Sequence, residues 1–355
     1  MALKNLFPAD IHGSDPIAGL LRKWQVTPWA AFFFSMIAGG IYAYLLPQLW
    51  GYRFEVDGFL INIVLVYPVA AYFYISQPAR IIRTYDSAAR YLREEDQSQH
   101  LHFEKIAKTH ARKIWWLIGL VFGLLGAYFG ITYGIQHFGE FSYSANILEI
   151  FLVQFFRFIA FYAIGVSASR HIATSIELNI LFENADFPLT VDADRLEVFR
   201  SVKNFALEFV GVAAIIALNL GLQPLLTDPP IVEYSIYVAL YFIVAPVSFF
   251  LPVWEAHLRM SKIKNGMLDR LNYDFQEESQ RLYRKFDMDT TSISYQKQAE
   301  TLVQLEKTIE TVARATDWPF QGTTFYRLAA TVVSPFLLVL FEIFINVISN
   351  LITIK

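Results

Sequence analysis

Residues 114–135 read IWWLIGLVFGLLGAYFGITYGI, a stretch without one charged side chain. A helix needs about twenty apolar residues to cross a bilayer, so this stretch predicts a transmembrane helix. Similar apolar runs recur along the chain. We predict about seven membrane spans, near residues 28–49, 58–76, 114–135, 146–168, 205–226, 232–253 and 326–352.

The composition indicates that much of the chain faces lipid. Hydrophobic residues make up 55% of the 355 positions and charged residues 17%, which is more apolar surface than a soluble domain could bury. The net charge of -3 leaves no long basic patch for nucleic acid. The chain has no cysteine, which excludes disulfides, thiol catalysis and cysteine-held metal clusters.

The lysines and arginines collect on one predicted side of the membrane. Segments 77–113 and 254–325 hold eight and ten of them, whereas 136–145 and 227–231 hold none. Because basic residues favour cytoplasmic loops, this distribution predicts a cytoplasmic amino terminus and an external carboxyl terminus. We expect a multi-pass integral protein of a plasma membrane or a bacterial inner membrane.

A helical hairpin is predicted on the cytoplasmic side, because Leu302, Leu305, Ile309 and Val312 recur at helical spacing. The alternative is a solvated helical linker. The predicted class is an all-α polytopic membrane protein. Its parts are a leader at 1–27, a six-span bundle at 28–254 with helical cytoplasmic loops at 77–113 and 169–204, a hairpin at 255–325, and a seventh transmembrane helix at 326–355.

Two charged residues fall deep inside predicted spans. Arg157 is eleven residues from the outer end of the fourth span, and Glu342 is ten residues from the outer end of the seventh. At the helical rise these depths are roughly 16 and 15 Å. A charge at such a depth needs a partner or water. The matching heights predict an Arg157–Glu342 ion pair, an ion or substrate site, or both.

The seventh predicted span carries a polar stripe. Its members are separated by four, three, eight, four and four residues, which is the repeat of one helical face. Such a stripe indicates either hydrogen bonding between helices or a face that lines a pore. The candidate pore-lining residues are Arg327, Thr331, Ser334, Glu342, Asn346 and Asn350.

The third predicted span carries a ridge of glycines at steps of four, three, four and four. Small residues at this spacing let two helices approach closely. The ridge predicts a packing face, either within the chain or between two copies. Its members are Gly119, Gly123, Gly126, Gly130 and Gly134.

Signatures of known catalytic sites are missing from the sequence, which holds no Walker sequence, no GxSxG and no HExxH. All seven histidines lie outside the predicted spans or at their ends, so paired haem ligands are not expected within the bundle. We expect no enzyme, no cofactor and no metal centre.

Three functions are compatible with these features. The first is a homo-oligomeric ion channel, cation-preferring because of Glu342, in which the seventh span lines the pore. The second is a secondary transporter that uses Arg157 and Glu342. The third is a membrane receptor or scaffold whose basic cytoplasmic helices recruit a partner. The conducted ion or small-molecule ligand is left open.

In plan, the seven spans, the internal amino terminus and the helical region before the last span resemble the insect odorant and gustatory receptor channels. The resemblance is one of topology, and it implies a shared pore lined by the last helix. The terminal motif of that family is absent, and the comparable span reads Leu340-Phe341-Glu342-Ile343-Phe344. The resemblance therefore carries over no functional residue.

Overall fold

The computed structural model describes residues 15–49, 62–89, 115–137, 147–183, 196–226, 231–286, 292–320 and 322–337. Nearly all of these residues are helical, and no strand occurs among them. The helices are α1 (Pro16–Lys23), α2 (Pro28–Leu49), α3 (Tyr67–Ala89), α4 (Trp115–His137), α5 (Ile147–Glu183), α6 (Glu197–Leu226), α7 (Ile231–Phe250), α8 (Trp254–Phe286), α9 (Ser292–Arg314) and α10 (Gly322–Val333).

Three short segments of π-helix or 3-10 helix adjoin these α-helices. A π-helical turn at Asn62–Val66 leads into α3, a 3-10 turn at Leu251–Val253 joins α7 to α8, and a 3-10 turn at Ser334–Phe336 follows α10. Among the described elements, α3 packs against both α5 and α6, α4 packs along α5, and α2 packs along α3. The 3-10 turn after α10 lies against α6.

The short helix α1 is fixed at both ends by local chemistry. The Asp15 carboxylate accepts hydrogen bonds from the backbone N–H groups of Ile17 and Ala18, at 3.1 and 3.2 Å, and Pro16 begins the helix. Both features are favoured at helix amino termini. The helix ends before Gln25, whose φ of 51° is left-handed, the conformation that commonly closes a helix. Residues 15–25 are thus a compact, self-capped unit.

A side chain from α5 stabilises the junction between α7 and α8. Asn179 donates a hydrogen bond to the Leu251 carbonyl at 2.6 Å and accepts one from the Glu255 N–H at 3.1 Å. These two backbone groups would bond to each other in a regular helix. Pro252 lies between them, in the 3-10 turn. An inserted side chain is a known cause of helix bending, and here it ties the junction to α5.

The helices α8 and α9 pack against each other as a hairpin. Near the start of α8, the Lys264 ammonium donates to the Ala315 carbonyl just after α9, at 2.7 Å. His257 Nδ1 donates to the Asp317 carbonyl at 2.8 Å, and its ring stacks on Trp318 at 3.9 Å. Because the beginning of α8 meets the end of α9, the two helices run antiparallel.

Two continuous helical stretches in the described part of the chain are long and apolar enough to cross a membrane. They are Glu197–Leu218, within α6, and Tyr241–Arg284, which runs from α7 through the 3-10 turn into α8. Shorter apolar helical stretches occur at Pro28–Ile41 and Trp116–Tyr128. Of the seven spans that hydropathy predicts, four lie partly outside the described residues, those at 58–76, 114–135, 146–168 and 326–352.

The helix α5 is longer than the predicted fourth span. It runs for 37 residues and continues past residue 168 to Glu183. One face of its later turns is buried, with Arg170, His171, Leu178 and Phe182 at 0–1% exposure, whereas Ile172, Ile176 and Ile180 on the other face are exposed. The start of the segment predicted as a loop at 169–204 therefore contributes to the core.

Candidate functional site

The structure describes one partner of the predicted Arg157–Glu342 pair. Arg157 lies on α5, partly buried, and its guanidinium hydrogen-bonds the hydroxyl of Tyr67 on α3. Glu342 lies outside the described residues. One turn before Arg157, Gln154 is buried, and its amide has no hydrogen-bond partner among the described residues.

Three members of the polar stripe fall in or next to α10. Arg327 and Ser334 are exposed and Thr331 is partly exposed. The Thr331 hydroxyl donates to the Arg327 carbonyl at 2.8 Å, and the Ser334 hydroxyl donates to the Thr331 carbonyl at 3.1 Å. Both hydroxyls therefore donate to backbone carbonyls of their own helical segment. The remaining members, Glu342, Asn346 and Asn350, lie outside the described residues.

Three glycines of the α4 ridge, Gly119, Gly123 and Gly126, face α5 within the same chain. A β-carbon added at Gly123 would lie 2.8 Å from the Phe158 ring, and one at Gly126 would lie 2.5 Å from the Phe161 ring. At Gly119 it would overlap Val166. Gly130 and Gly134 follow in the same helix. The described glycines allow α4 to approach α5 closely.

A buried charge cluster joins α1 to the bundle. The Asp15 carboxylate lies 3.2 Å from the Arg170 guanidinium on α5. It also accepts hydrogen bonds from the hydroxyls of Tyr74 on α3, at 2.6 Å, and Tyr162 on α5, at 2.7 Å. Asp15 is 5% exposed and Arg170 1%. Together with the two backbone groups of α1, five donors surround one carboxylate.

The cluster is electrically balanced. Burying a lone charge is costly, but a paired charge with satisfied hydrogen bonds is tolerated. The Arg170 guanidinium lies over the Tyr74 ring at 5.2 Å and donates to the Tyr74 carbonyl at 3.4 Å. Nearby, Ala18 on α1 packs in one apolar cluster with the rings of Tyr74 and Tyr162. The pair therefore holds α1 in one position against α3 and α5.

Further polar contacts continue along the α3–α5 interface. The Gln77 amide donates to the Ser167 carbonyl at 2.8 Å. Farther along, the Tyr85 hydroxyl donates to the Glu177 carboxylate at 2.5 Å. Burial, together with this carboxylate, raises the pKa of Tyr85 well above its ordinary value, so this hydroxyl stays protonated and keeps donating.

His171 is buried in the core, although it lies beyond the end of the predicted fourth span at residue 168. Its ring stacks on Phe209 at 3.9 Å and on Phe205 at 4.6 Å, both on α6. Its Nε2 donates to the Ser248 carbonyl of α7 at 2.9 Å. Through this one ring α5 contacts α6 and α7.

Within the described ranges, no group of three or more metal-binding side chains occurs. In the Asp15–Arg170 cluster, the two buried charges form an ion pair. Separating α1 from the bundle would leave the Arg170 guanidinium buried without its partner. The cluster is suited to coupling the position of α1 to the packing of α3 against α5.

The sequence patterns did not predict this cluster. Asp15 falls within the predicted leader at 1–27, and its partner is 155 residues away. One local signal was available, since Asp15-Pro16 is a typical start of a helix. The other was the series Ser167, Arg170, His171 and Thr174, at steps of three, one and three, which is one face of a helix.

Comparisons with protein-family models, with curated proteins and with solved structures give no match for this chain.

Proposed function

We propose that this chain is a subunit of a homo-oligomeric, cation-preferring ion channel of seven spans, with its amino terminus in the cytoplasm and its last helix lining the pore. The distribution of lysine and arginine supports the topology. The uncovered apolar side chains of α2, α4 and α7 support a lipid-facing surface, since Phe34, Leu124 and Ile243 are each more than half exposed.

The observation that carries the channel proposal is the two-sided character of α10. Leu328, Val332 and Phe336 are buried on one side, packed in a cluster with residues of α6 and α7. Arg327 and Ser334 lie on the uncovered side. The Ser334 hydroxyl is bonded within its own helix, but a charged side chain that faces hydrocarbon is unfavourable, so Arg327 favours water or a second copy as the surroundings of this side.

The cation preference rests on Glu342, which continues the same stripe in the sequence. In a symmetric oligomer, one carboxylate from each subunit would make a ring of negative charge. Such rings favour cations.

The uncovered side of α10 can be tested with single cysteines in this cysteine-free chain. Ser334→Cys lies on the uncovered side and Leu328→Cys on the packed side. In planar bilayers, we expect a positively charged thiol reagent to reduce the current of the Ser334→Cys channel several-fold and to leave the Leu328→Cys channel unchanged.

In the same recordings, Glu342→Gln should reduce the permeability ratio of potassium to chloride. Glu306→Gln, an exposed carboxylate on α9, is the matched control and should leave the ratio unchanged. Absence of conductance in the wild-type protein, or equal block of both cysteine variants, would contradict the proposal.

A secondary transporter is the second candidate. The buried, unpartnered amide of Gln154 beside Arg157 favours it, because an orphaned polar group inside a bundle often marks a place for water or a solute. A monomer that accumulates solute without measurable current would support this alternative over the channel.

A further inference from the structure

The short helix α1 packs against the bundle at the level where three predicted spans end. Asp15, at its start, contacts Tyr74 and Arg170, and Trp116 packs against the apolar cluster that contains Ala18 of α1. Tyr74, Trp116 and Arg170 each lie two residues from the predicted cytoplasmic end of a span, at residues 76, 114 and 168. Two residues of helix correspond to about 3 Å. In the proposed topology, α1 therefore lies at the cytoplasmic boundary of the bilayer.

The turn after α1 separates its direction from that of α2. Gln25 has a left-handed φ of 51°. The Thr27 hydroxyl accepts a hydrogen bond from the Ala30 N–H at 3.2 Å and so caps the start of α2. Because the Asp15–Arg170 pair fixes the other end of α1, this helix is held against the bundle with one side covered and the other side free.

The free side of α1 and of the following turn carries large apolar residues and a cation. Leu20, Trp24 and Trp29 are 46%, 65% and 59% exposed, and Lys23 is exposed as well. These four residues form the α1 surface. Tryptophan is enriched where a protein passes from water into a bilayer, because its ring is apolar and its N–H is polar. Apolar and basic residues together are typical of helices that lie in the headgroup region of a membrane.

The charge of this part of the chain is positive. Arg22 and Lys23 are the only charged residues between positions 16 and 52 of the sequence. The Asp15 carboxylate does not offset them, because it is buried and paired with Arg170. Anionic phospholipids on the cytoplasmic face of a membrane attract basic residues of this kind.

From these features we propose that the α1 surface binds the cytoplasmic face of the bilayer and prefers anionic phospholipids, such as phosphatidylglycerol. Leu20 and Trp24 enter the headgroup region, and Lys23 pairs with a lipid phosphate. Trp29, whose ring lies 4.9 Å from that of Tyr72 on α3, lies at the same boundary at the start of α2. The proposal rests on the proposed membrane placement and does not depend on ion conduction.

The test uses a fluorescent bimane on a single cysteine of this cysteine-free chain. Leu20→Cys carries the label on the α1 surface, and the full-length protein is labelled in detergent and placed in nanodiscs. The nanodiscs contain equal amounts of phosphatidylcholine and phosphatidylglycerol, and one of the two lipids is brominated near the headgroup end of its chains. Because bromine quenches fluorescence at short range, the quenching by each lipid reports how much of it lies beside α1. We expect both lipids to quench and phosphatidylglycerol to quench more.

The ratio of the two quenching signals gives the relative affinity for the two lipids. We expect phosphatidylglycerol to be preferred at least about fivefold, since one basic residue at a charged membrane surface contributes about this factor. Lys23→Gln, in the Leu20→Cys background, should lower the preference by about fivefold. Lys307→Gln, which removes an exposed lysine on α9, is the matched control and should leave the preference unchanged.

Two further label positions distinguish failure of this proposal from failure of the membrane placement. Phe34→Cys, on α2, should be quenched by both lipids, and Tyr273→Cys, exposed on α8, by neither. Quenching at position 34 without quenching at position 20 would overturn the proposal and leave the placement intact, because α1 would then face water or a soluble protein. Absence of quenching at both positions would overturn the placement and the proposal together.

The preference for anionic lipid has its own decisive result. Equal quenching of Leu20→Cys by the two lipids, with no change in Lys23→Gln, would overturn the assignment of an anionic phospholipid. The substituted side chains are exposed, so the variants are expected to fold, and gel filtration of each labelled protein checks this.

Discussion

Asp15 shows how one residue can fix the position of a helix. Its carboxylate caps α1 and at the same time reaches into the bundle, where Arg170, Tyr74 and Tyr162 surround it. Each of these contacts would be lost if α1 moved away. Because Arg170 is almost fully buried, the remaining charge would have no water to replace its partner.

The Asp15–Arg170 pair should behave as a coupled unit in unfolding experiments. Asp15→Asn retains the capping oxygen but removes the charge, and Arg170→Met removes the cation. Each change is expected to lower the free energy of unfolding by about 3–5 kcal/mol. The double variant should lose less than the sum of the two, by about 1.5–3 kcal/mol, because neither charge is then left unpaired.

The exposed pair Glu277–Arg281 on α8 is the control for that experiment. Its atoms are 2.5 Å apart, and both side chains are about half exposed. The same double-variant cycle with Glu277→Gln and Arg281→Met should give a coupling of about 0.3–0.5 kcal/mol, as is usual for exposed pairs on a helix. Equal coupling in the two cycles would show that burial of Asp15 and Arg170 contributes nothing.

At this scale the sequence predicted that Arg157 is a charge within the bundle, and its predicted partner, Glu342, lies outside the described residues. Arg157 was recognised as a buried cation because apolar residues surround it in the sequence. Its contact with Tyr67 was not foreseen, since a hydrophobic pattern gives the face of a helix and not which neighbour it meets. Asp15 was harder still, because nothing in the sequence around it distinguishes a buried carboxylate from a solvated one.

At the scale of the elements, glycines determine which helices can approach one another. In α6, Gly221 lies against the 3-10 turn that follows α10, where an added β-carbon would overlap the Pro335 carbonyl oxygen. Ten residues earlier in the same helix, an added β-carbon at Gly211 would meet no atom within 4 Å. Gly211 is therefore a suitable control for Gly221, because both lie in α6 and, of the two, Gly221 alone is in close contact with another element.

Gly221→Ala should separate α10 from α6 and lower the thermal unfolding temperature of the purified protein. Relief of the overlap needs a backbone shift, with a cost of about 1–3 kcal/mol. Gly211→Ala should be neutral or slightly stabilising, because alanine favours helix more than glycine does. A similar loss in both variants would indicate that the helix itself, and not its contact with Pro335, is sensitive.

Helical periodicity predicted one face of the hairpin well. On α9, Leu302, Leu305, Ile309 and Val312 are all at least partly buried. On α8 the sequence shows a second series at roughly helical spacing, Leu258, Ile263, Met267, Leu271 and Phe275. Of these, Leu258 and Met267 are exposed, and Met260, which is outside the series, is buried. The pattern on α8 is ambiguous because this helix contacts α5 as well as α9, so more than one of its faces is covered.

At the scale of the whole molecule, hydropathy predicted a helical protein with apolar helices, and the structure agrees to that extent. Hydropathy identifies an apolar helix equally in a protein core and in lipid. Two helical stretches in the described part of the chain are long and apolar enough to cross a membrane, and the seven-span topology is the one proposed above.

Three single cysteines in this cysteine-free chain can test the topology with a membrane-impermeant maleimide. Asp228→Cys, in the predicted fifth loop, should react from outside intact cells. Asn272→Cys, exposed on α8, should react only after the inner face is opened. Phe34→Cys should stay unreactive on both sides although Phe34 is 76% exposed, because hydrocarbon would surround it.

Labelling of the cysteines at 228 and 272 from the same side would refute the seven-span topology. Rapid labelling of Phe34→Cys would indicate instead that α2 borders water.

The contact between Asp15 and Arg170 also sets an order of events during synthesis. The carboxylate leaves the ribosome 155 residues before its partner, an interval of about ten to thirty seconds at usual elongation rates. During that time α1 has neither Arg170 nor Tyr162 to bind. The helix α1 can therefore reach its final position only after α5 has been made, so a docked α1 marks a bundle whose α3 and α5 are already assembled.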